Sequence, residues 1–186
     1  LNERQKIVKF LNHRTEAINS AITRLNQKLF ILEEKRSALI TKAVTKGLNS
    51  DAKMKDSEID FIGEIPENWY CAKNLRLVDV KGRVGWHGLT TKDYVDDGNY
   101  LLGASSISES GKFSLRRIHY VPDEIYERDK TIQVRDGDVL LVKVGATIGR
   151  STVVRELDRN ATINAALFLV RPNQELYPEY FQYQLM

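Results

Sequence analysis

Residues 11–47 read LNHRTEAINSAITRLNQKLFILEEKRSALITKAVTKG, and no glycine or proline interrupts the chain before Gly47. Counting by sevens gives Leu11, Ile18, Leu25, Leu32 and Leu39 in an unbroken series, interleaved with Val8, Thr15, Ile22, Leu29, Arg36 and Ala43. That is a heptad pattern, with the leucine series at d and the more mixed series at a. A lysine-rich last turn followed by Gly47 is how such a helix stops. About 43 residues at about 1.5 Å each make a rod about 65 Å long.

Propensity alone stabilises a helix of this kind too little, because its seam must leave water to offset the ordering of the backbone. Leu11, Ile18, Ile22, Leu25, Leu29, Leu32 and Leu39 are therefore expected to pair with another helix. The competing reading docks the stripe on the chain's own globular part. A domain of about 135 residues is only about 30–35 Å across, so half the rod would overhang it. Thr15 and Arg36 weaken the seam and suit a register-fixing role.

The totals set the frame for the rest. The 186 residues leave room for one domain plus an extended element. With 42% hydrophobic and 28% charged residues and no apolar run near bilayer length, the composition argues against a membrane protein. A single cysteine, Cys71, excludes an internal disulfide and fits a reducing cytoplasm. The chain opens on Leu1 without the order of a signal peptide and stops inside the apolar YPEYFQYQLM, so a piece of a longer protein is expected. Net charge is +3, but residues 1–47 hold ten basic and four acidic residues, leaving 18 basic and 21 acidic in the remainder. The basic character belongs to the rod.

Residues 48–70, LNSDAKMKDSEIDFIGEIPENWY, predict an ordered strap over 48–58 that leads into a new domain over 59–186, with Ile59, Phe61, Ile62, Ile65 and Trp69 as anchors. Beyond Tyr70 the period changes. RLVDVKGRV, YLLGASSI, KFSLRRIHYV, TIQVRDGDVLLVKV, RSTVVREL and NAALFLVRP are short runs rich in Val, Ile, Leu and Tyr, punctuated by Gly, Asp, Asn or Ser. DEIYERDK predicts a short helix capped by Asp123, and Pro178 suits the first turn of a helix in YPEYFQYQLM. The expected class is α+β: a long N-terminal coiled-coil helix, then a mostly β domain with a few short helices.

Two stretches carry a family resemblance. ALITKAVTKGL leading to IGEIPENW, and GDVLLVKVGATIGRSTVV followed by INAALFLVRP, resemble the specificity subunit of type I restriction-modification systems across nearly the whole chain. Members of that family alternate two target-recognition domains with two long helices. Each domain reads half of a split DNA sequence, and the antiparallel helices hold the halves apart. The resemblance implies one helix and one partial recognition domain here, a role in double-stranded DNA recognition, and partners in methyltransferase and restriction/translocase subunits. It also implies a bacterial or archaeal cytoplasm. The rod's partner would be a distal helix or the same rod in a second, antiparallel copy. Its basic surface could meet protein or phosphate, or be a solvated face; in the family such helices dock methyltransferase subunits.

Readout needs donors and acceptors in the major groove, with phosphate contacts around them. KNLRLVDVKGRVGWHGLTTKDY offers Lys81, Arg83, Trp86, His87, Thr90, Thr91 and Lys92, and GASSISESGKFSLRRIHY offers Ser105, Ser106, Lys112, Arg116 and Arg117. Glycine and tryptophan in such a loop also serve as turn and anchor. VGATIGRS lacks the order of a nucleotide loop and reads as a turn between buried strands, with Lys143, Thr147 and Arg150 as further candidates. Asp136 and Asp138 around Gly137 fit turn chemistry better than paired catalytic carboxylates.

No methyltransferase motif occurs, His13, His87 and His119 are scattered, and zinc-ligand spacing is not met. No catalytic residue, cofactor or metal is expected. The acidic balance of residues 48–186 keeps a second reading open: a structural or regulatory coiled-coil protein that binds or sequesters partner subunits without reading DNA.

Overall fold

In the computed structural model, the described residues are 2–72, 76–83 and 89–186, without the Thr91 side chain. Two units emerge, Leu1–Leu48 and Asn49–Met186. The first is one uninterrupted helix, α1 (Asn2–Lys46, 45 residues), in which no residue is buried. At about 1.5 Å per residue it is about 67 Å long. Gly47 follows in the left-handed region (φ 75°), its N–H donating to the Ala43 carbonyl, as a helix C-terminus requires. Leu11, Ile18, Ile22, Leu25, Leu29, Leu32 and Leu39 are each 50–66% exposed.

The second unit opens with a ribbon, β1 (Met54–Asp56) against β2 (Glu64–Pro66). Two sheets form its body. One is antiparallel, in the order β3 (Val78–Gly82), β9 (Leu167–Pro172), β6 (Val139–Val142), β7 (Ser151–Val153). The other runs β5 (His119–Val121), β4 (Asn99–Leu102), β8 (Ala161–Ile163), with β4 and β8 parallel. Side-chain alternation along the strands explains the packing. Leu140 and Val142 of β6, Leu167 and Leu169 of β9, and Tyr100, Leu102, Ala161 and Ile163 of the second sheet share one buried cluster, which lies between the sheets. The opposite faces of the same strands supply the other clusters. Val139 and Val170 pack with Phe181 of α3 (Pro178–Gln184), and Leu101 and Val121 with Ile125 of α2 (Asp123–Glu127). All four residues of β4 are buried, as a strand covered on both faces demands.

Three expectations change. KFSLRRIHYV is a strand only at His119–Val121, because Phe113 bridges Ile107 and residues 113–118 run as a loop beneath which Phe113 and Leu115 join the core. Asp123 does not cap α2: the helix begins at it, after Pro122, and its Oδ1 accepts from Asn99 Nδ2 at 2.8 Å. Phe61 is no anchor, being 91% exposed, whereas Ile65 is 5% exposed. Pro178 does open α3, its fixed φ suited to a first turn.

Candidate nucleic-acid interface

The register places the ends of β3, β4, β6 and β8 and the starts of β7 and β9 at one end of the second unit. Gly82 pairs with Phe168, Val142 with Leu167, Leu141 with Ser151, and Leu102 with Ile163. Three long-range ties hold the emerging loops together. The Asn164 N–H donates to the Leu102 carbonyl, the Lys143 N–H to the Ala166 carbonyl, and Arg83 Nε to the Ile163 carbonyl at 2.8 Å. Loops that leave a rigid scaffold at a common end are where recognition residues are usually carried.

The β6–β7 loop is held by Gly149 N–H to Val142 O and Ile148 N–H to Gly145 O, with Gly145 and Gly149 at φ 105° and 87°. Those conformations favour glycine and make the loop a tight turn between buried strands. Thr147 is half-buried and Arg150 exposed on it, and Lys143 Nζ lies 4.7 Å from the centre of the Phe168 ring. The 103–118 loop carries exposed Ser105, Lys112, Arg116 and Arg117, with Ser105 Oγ donating to the Arg117 carbonyl at 2.9 Å. Gln182 of α3 ties that loop to β7, Nε2 donating to both Gly111 O and Ser151 O. Ser105, Lys112, Arg116, Arg117, Lys143, Thr147 and Arg150 thus lie on two loops rooted at one end.

Other candidates are placed differently. Arg83 is 4% exposed, its Nη2 donating to Thr162 Oγ1 at 3.0 Å beside the Ile163 bond, so it is a core tie and not a group offered to a duplex. Burial pushes its guanidinium below the usual arginine value. Ser106 is fully buried and its Oγ accepts from the Gly103 N–H, which removes it from the candidates as well. Lys81 pairs with Asp79 at 3.0 Å. Thr90 donates through N–H and hydroxyl to Asp93 Oδ2, bonds that lower the Asp93 pKa, and this turn carries Lys92. Trp86 and His87 lie outside the described residues, as does the side chain of Thr91.

Asp136 and Asp138, read as turn residues, have structural roles. Asp136 accepts from the Glu156 and Leu157 N–H groups, and Asp138 is bound through both oxygens by Arg171. The Arg171 partnership was missed in the sequence, where Asp138 and Arg171 stand 33 residues apart. Among the described residues no group of His, Cys, Asp and Glu could hold a metal, and no helix is long and apolar enough to cross a membrane. Arg83→Ala would leave the buried Ile163 carbonyl without its donor, at about 1–3 kcal/mol. Urea unfolding followed by near-UV circular dichroism measures it, and a loss below about 0.5 kcal/mol would contradict the role given to Arg83.

No family model matches the chain. It is similar in sequence to the type I restriction enzyme EcoBI specificity subunit of Escherichia coli, 29% identical over 180 residues, covering 95% of this chain and 37% of that protein. It is also similar to the type I restriction enzyme MjaVIII specificity subunit of Methanocaldococcus jannaschii, 22% identical over 166 residues, covering 88% and 36%. The chain therefore spans little more than a third of the length of these curated relatives. Its fold resembles the HsdS subunit from Thermoanaerobacter tengcongensis (TM-score 0.51, 19% identity, 88% of this chain and 36% of that one). It resembles equally a chain from work on the complex assembly and conformational transition of the type I R-M system (TM-score 0.51, 18% identity, 92% and 39%). The resemblance to specificity subunits read from ALITKAVTKGL, IGEIPENW and the GATIGR stretch is borne out in sequence, and the α+β architecture in fold.

Proposed function

We propose that this chain is a non-catalytic, sequence-reading and scaffolding part of a type I restriction-modification complex. The observation that carries this reading is the convergence of the 103–118 and 143–150 loops, with exposed Lys112, Arg116, Arg117 and Arg150, at one tied end of the β unit. Arginine bonds guanine through two atoms and serine reaches several base edges, while the remaining cations meet phosphate. Residues 1–47 act as spacer, 48–58 as an ordered link and 59–186 as a target-recognition domain. The chain acts in the bacterial or archaeal cytoplasm.

The spacer pairs through its seam with a distal helix or with a second, antiparallel copy. Phe10 and Ile31, at 63% and 60% exposure, fall outside the a and d series. Helix pairing leaves them open, which suits docking of methyltransferase subunits, with the restriction/translocase subunit joining the assembly. Insertion of one heptad into α1 lengthens the rod by about 10.5 Å, or about three base pairs at about 3.4 Å each. The selected DNA motif should therefore gain about three unspecified positions between its halves.

Selection from random duplexes by the chain assembled with methyltransferase subunits tests the reading. A split motif should emerge, with affinity falling steeply as salt rises. Equal binding of all sequences would remove it. Arg117→Ala should cost about 1–3 kcal/mol and relax one position if Arg117 reads a base; an identical selection profile would return it to the surface. The acidic balance of residues 48–186 supports a second reading, a regulatory relative that sequesters subunits. Pull-down of methyltransferase subunits, with and without DNA, separates the two.

A further inference from the structure

One side-chain amide ties together the two loops that converge at the end of the β unit. It belongs to α3, which lies along the edge strand β7 and is fixed there at both ends. Near the start of the helix Glu179 Oε1 accepts from Arg155 Nε at 2.9 Å, and one turn later Gln182 Nε2 donates to the Ser151 carbonyl at 3.0 Å. Between them Phe181 is buried with Val139, Val153 and Val170, so α3 is a rigid mount. Gln182 Nε2 also donates to the Gly111 carbonyl at 2.8 Å. Both N–H bonds of the amide are thus used.

The segment around Gly111 is an arm. The Ser114 N–H donates to the Ser106 carbonyl and Ile107 bridges Phe113. The tip is closed by the Ser108 N–H donating to the Lys112 carbonyl and the Lys112 N–H donating to Ser108 Oγ. Phe113 packs on the core and holds the base of the arm, whereas Gln182 holds its tip. Gly111 permits the close approach. It sits in the left-handed region (φ 74°), and a Cβ there would come 2.9 Å from Met186 Cε and 3.3 Å from Gln182 Nε2. Two acceptors of one nitrogen lie within about 6 Å of each other. Lys112 and Arg150, each next in the chain to one of those acceptors and both exposed, are therefore carried on adjoining backbone.

We propose that Gln182 is a positioning residue for base selection: without touching the duplex, its amide locks the 106–114 arm to the start of β7, so that Lys112 and Arg150 meet DNA as one fixed pair. This rests on the DNA-reading role proposed above and adds a residue, outside the two loops, on which their joint geometry depends. A loose arm must be ordered at the expense of binding energy whichever sequence it meets, and it shifts to accommodate a wrong base pair. A locked arm holds its side chains in the geometry of one sequence.

Gln182→Met keeps the length of the stem and removes both donors, whereas Gln182→Lys keeps donors on a slightly longer stem. In the whole chain without DNA, hydrogen exchange at the Gly111 and Lys112 amides should quicken about five- to tenfold in Gln182→Met and stay near the parent in Gln182→Lys, with the β6 amides unchanged in both. Selection from random duplexes follows, with the chain assembled with methyltransferase subunits. Gln182→Met should retain a split motif but lose about tenfold in base preference within the half read by this domain, and Gln182→Lys should give the parent's motif. The lysine's added charge raises affinity for every sequence alike and so leaves the profile alone. Gly111→Ala, which strains the same tip from the loop side, should reproduce the Gln182→Met profile, and it carries the test if that variant unfolds. Faster exchange with an unchanged profile overturns the positioning role and leaves the DNA-reading role standing. Exchange within twofold of the parent overturns the tie itself. A parent complex that selects no motif overturns both roles.

Discussion

Leu25→Asp is expected to abolish the proposed helix pairing and leave monomers at micromolar concentration. Leu25 lies near the middle of the heptad series and is 65% exposed on the isolated helix, so the proposed pairing would be what removes it from water. Losing its burial costs about 1.5–3 kcal/mol. In an antiparallel pair both copies change at once, and the midpoint position brings the two carboxylates close together. Each charge also carries a desolvation cost of several kcal/mol. Together these weaken the dissociation constant by at least about 1000-fold, each 1.4 kcal/mol being tenfold. Helicity should fall with mass, because a helix without a partner is marginal in water. Sedimentation and far-UV circular dichroism read both quantities. An unchanged mass would mean that the seam does not pair.

The rod was legible because its signal is local. A seven-residue repeat from Val8 to Ala43 without glycine or proline predicts the helix, and Gly47 its end, and α1 runs from Asn2 to Lys46. Strands β6 and β9 were legible for a related reason: VLLV and LFLVRP pack against opposite clusters through alternate residues and so read as continuous apolar runs. β8 was not separated from its surroundings, since a three-residue parallel strand has no period to detect. β1 and β2 escaped notice as well, because their pairing is fixed by the turn around buried Ser57 and not by an apolar pattern.

Two of the three candidate stretches, 103–118 and 143–150, root at one end of the β unit, but which of their side chains are exposed was not legible in the sequence. Arg83 and Arg117 look alike in the sequence, each basic and set near turn residues. What separates them is a partner 80 residues away, the Ile163 carbonyl, which draws Arg83 into the core. Ser106 and Ser105 are neighbours, yet one turns inward to the Gly103 N–H and the other outward to the Arg117 carbonyl. Composition marks a loop as polar and basic, whereas which polar group is buried depends on hydrogen-bond partners brought in by long-range strand pairing.

The same principle makes Arg171→Ala the most damaging single change expected in the β unit. Asp138 is 2% exposed, and Arg171 binds it through Nε and Nη2, both at 2.7 Å, while Nη2 also donates to the Gln133 carbonyl. The Asp138 hydrogen bond holds the Arg171 guanidinium above its usual pKa. Truncating the arginine leaves the carboxylate buried with the Arg135 N–H still donating to it, and breaking a buried pair from one side costs about 3–5 kcal/mol. Against a total stability of about 5–15 kcal/mol, that is a large share. The reverse change is milder. Asp138→Asn leaves a guanidinium that is 31% exposed and can still be hydrated, so its cost should be about half as large. Replacing both, Arg171→Met with Asp138→Leu, should recover most of the loss, because no charge is then buried. Urea unfolding of the three variants followed by near-UV circular dichroism gives the order Arg171→Ala, Asp138→Asn, double variant from least to most stable. If Arg171→Ala costs less than about 1 kcal/mol, water reaches Asp138 and the pair does not hold β6 and β9 in register.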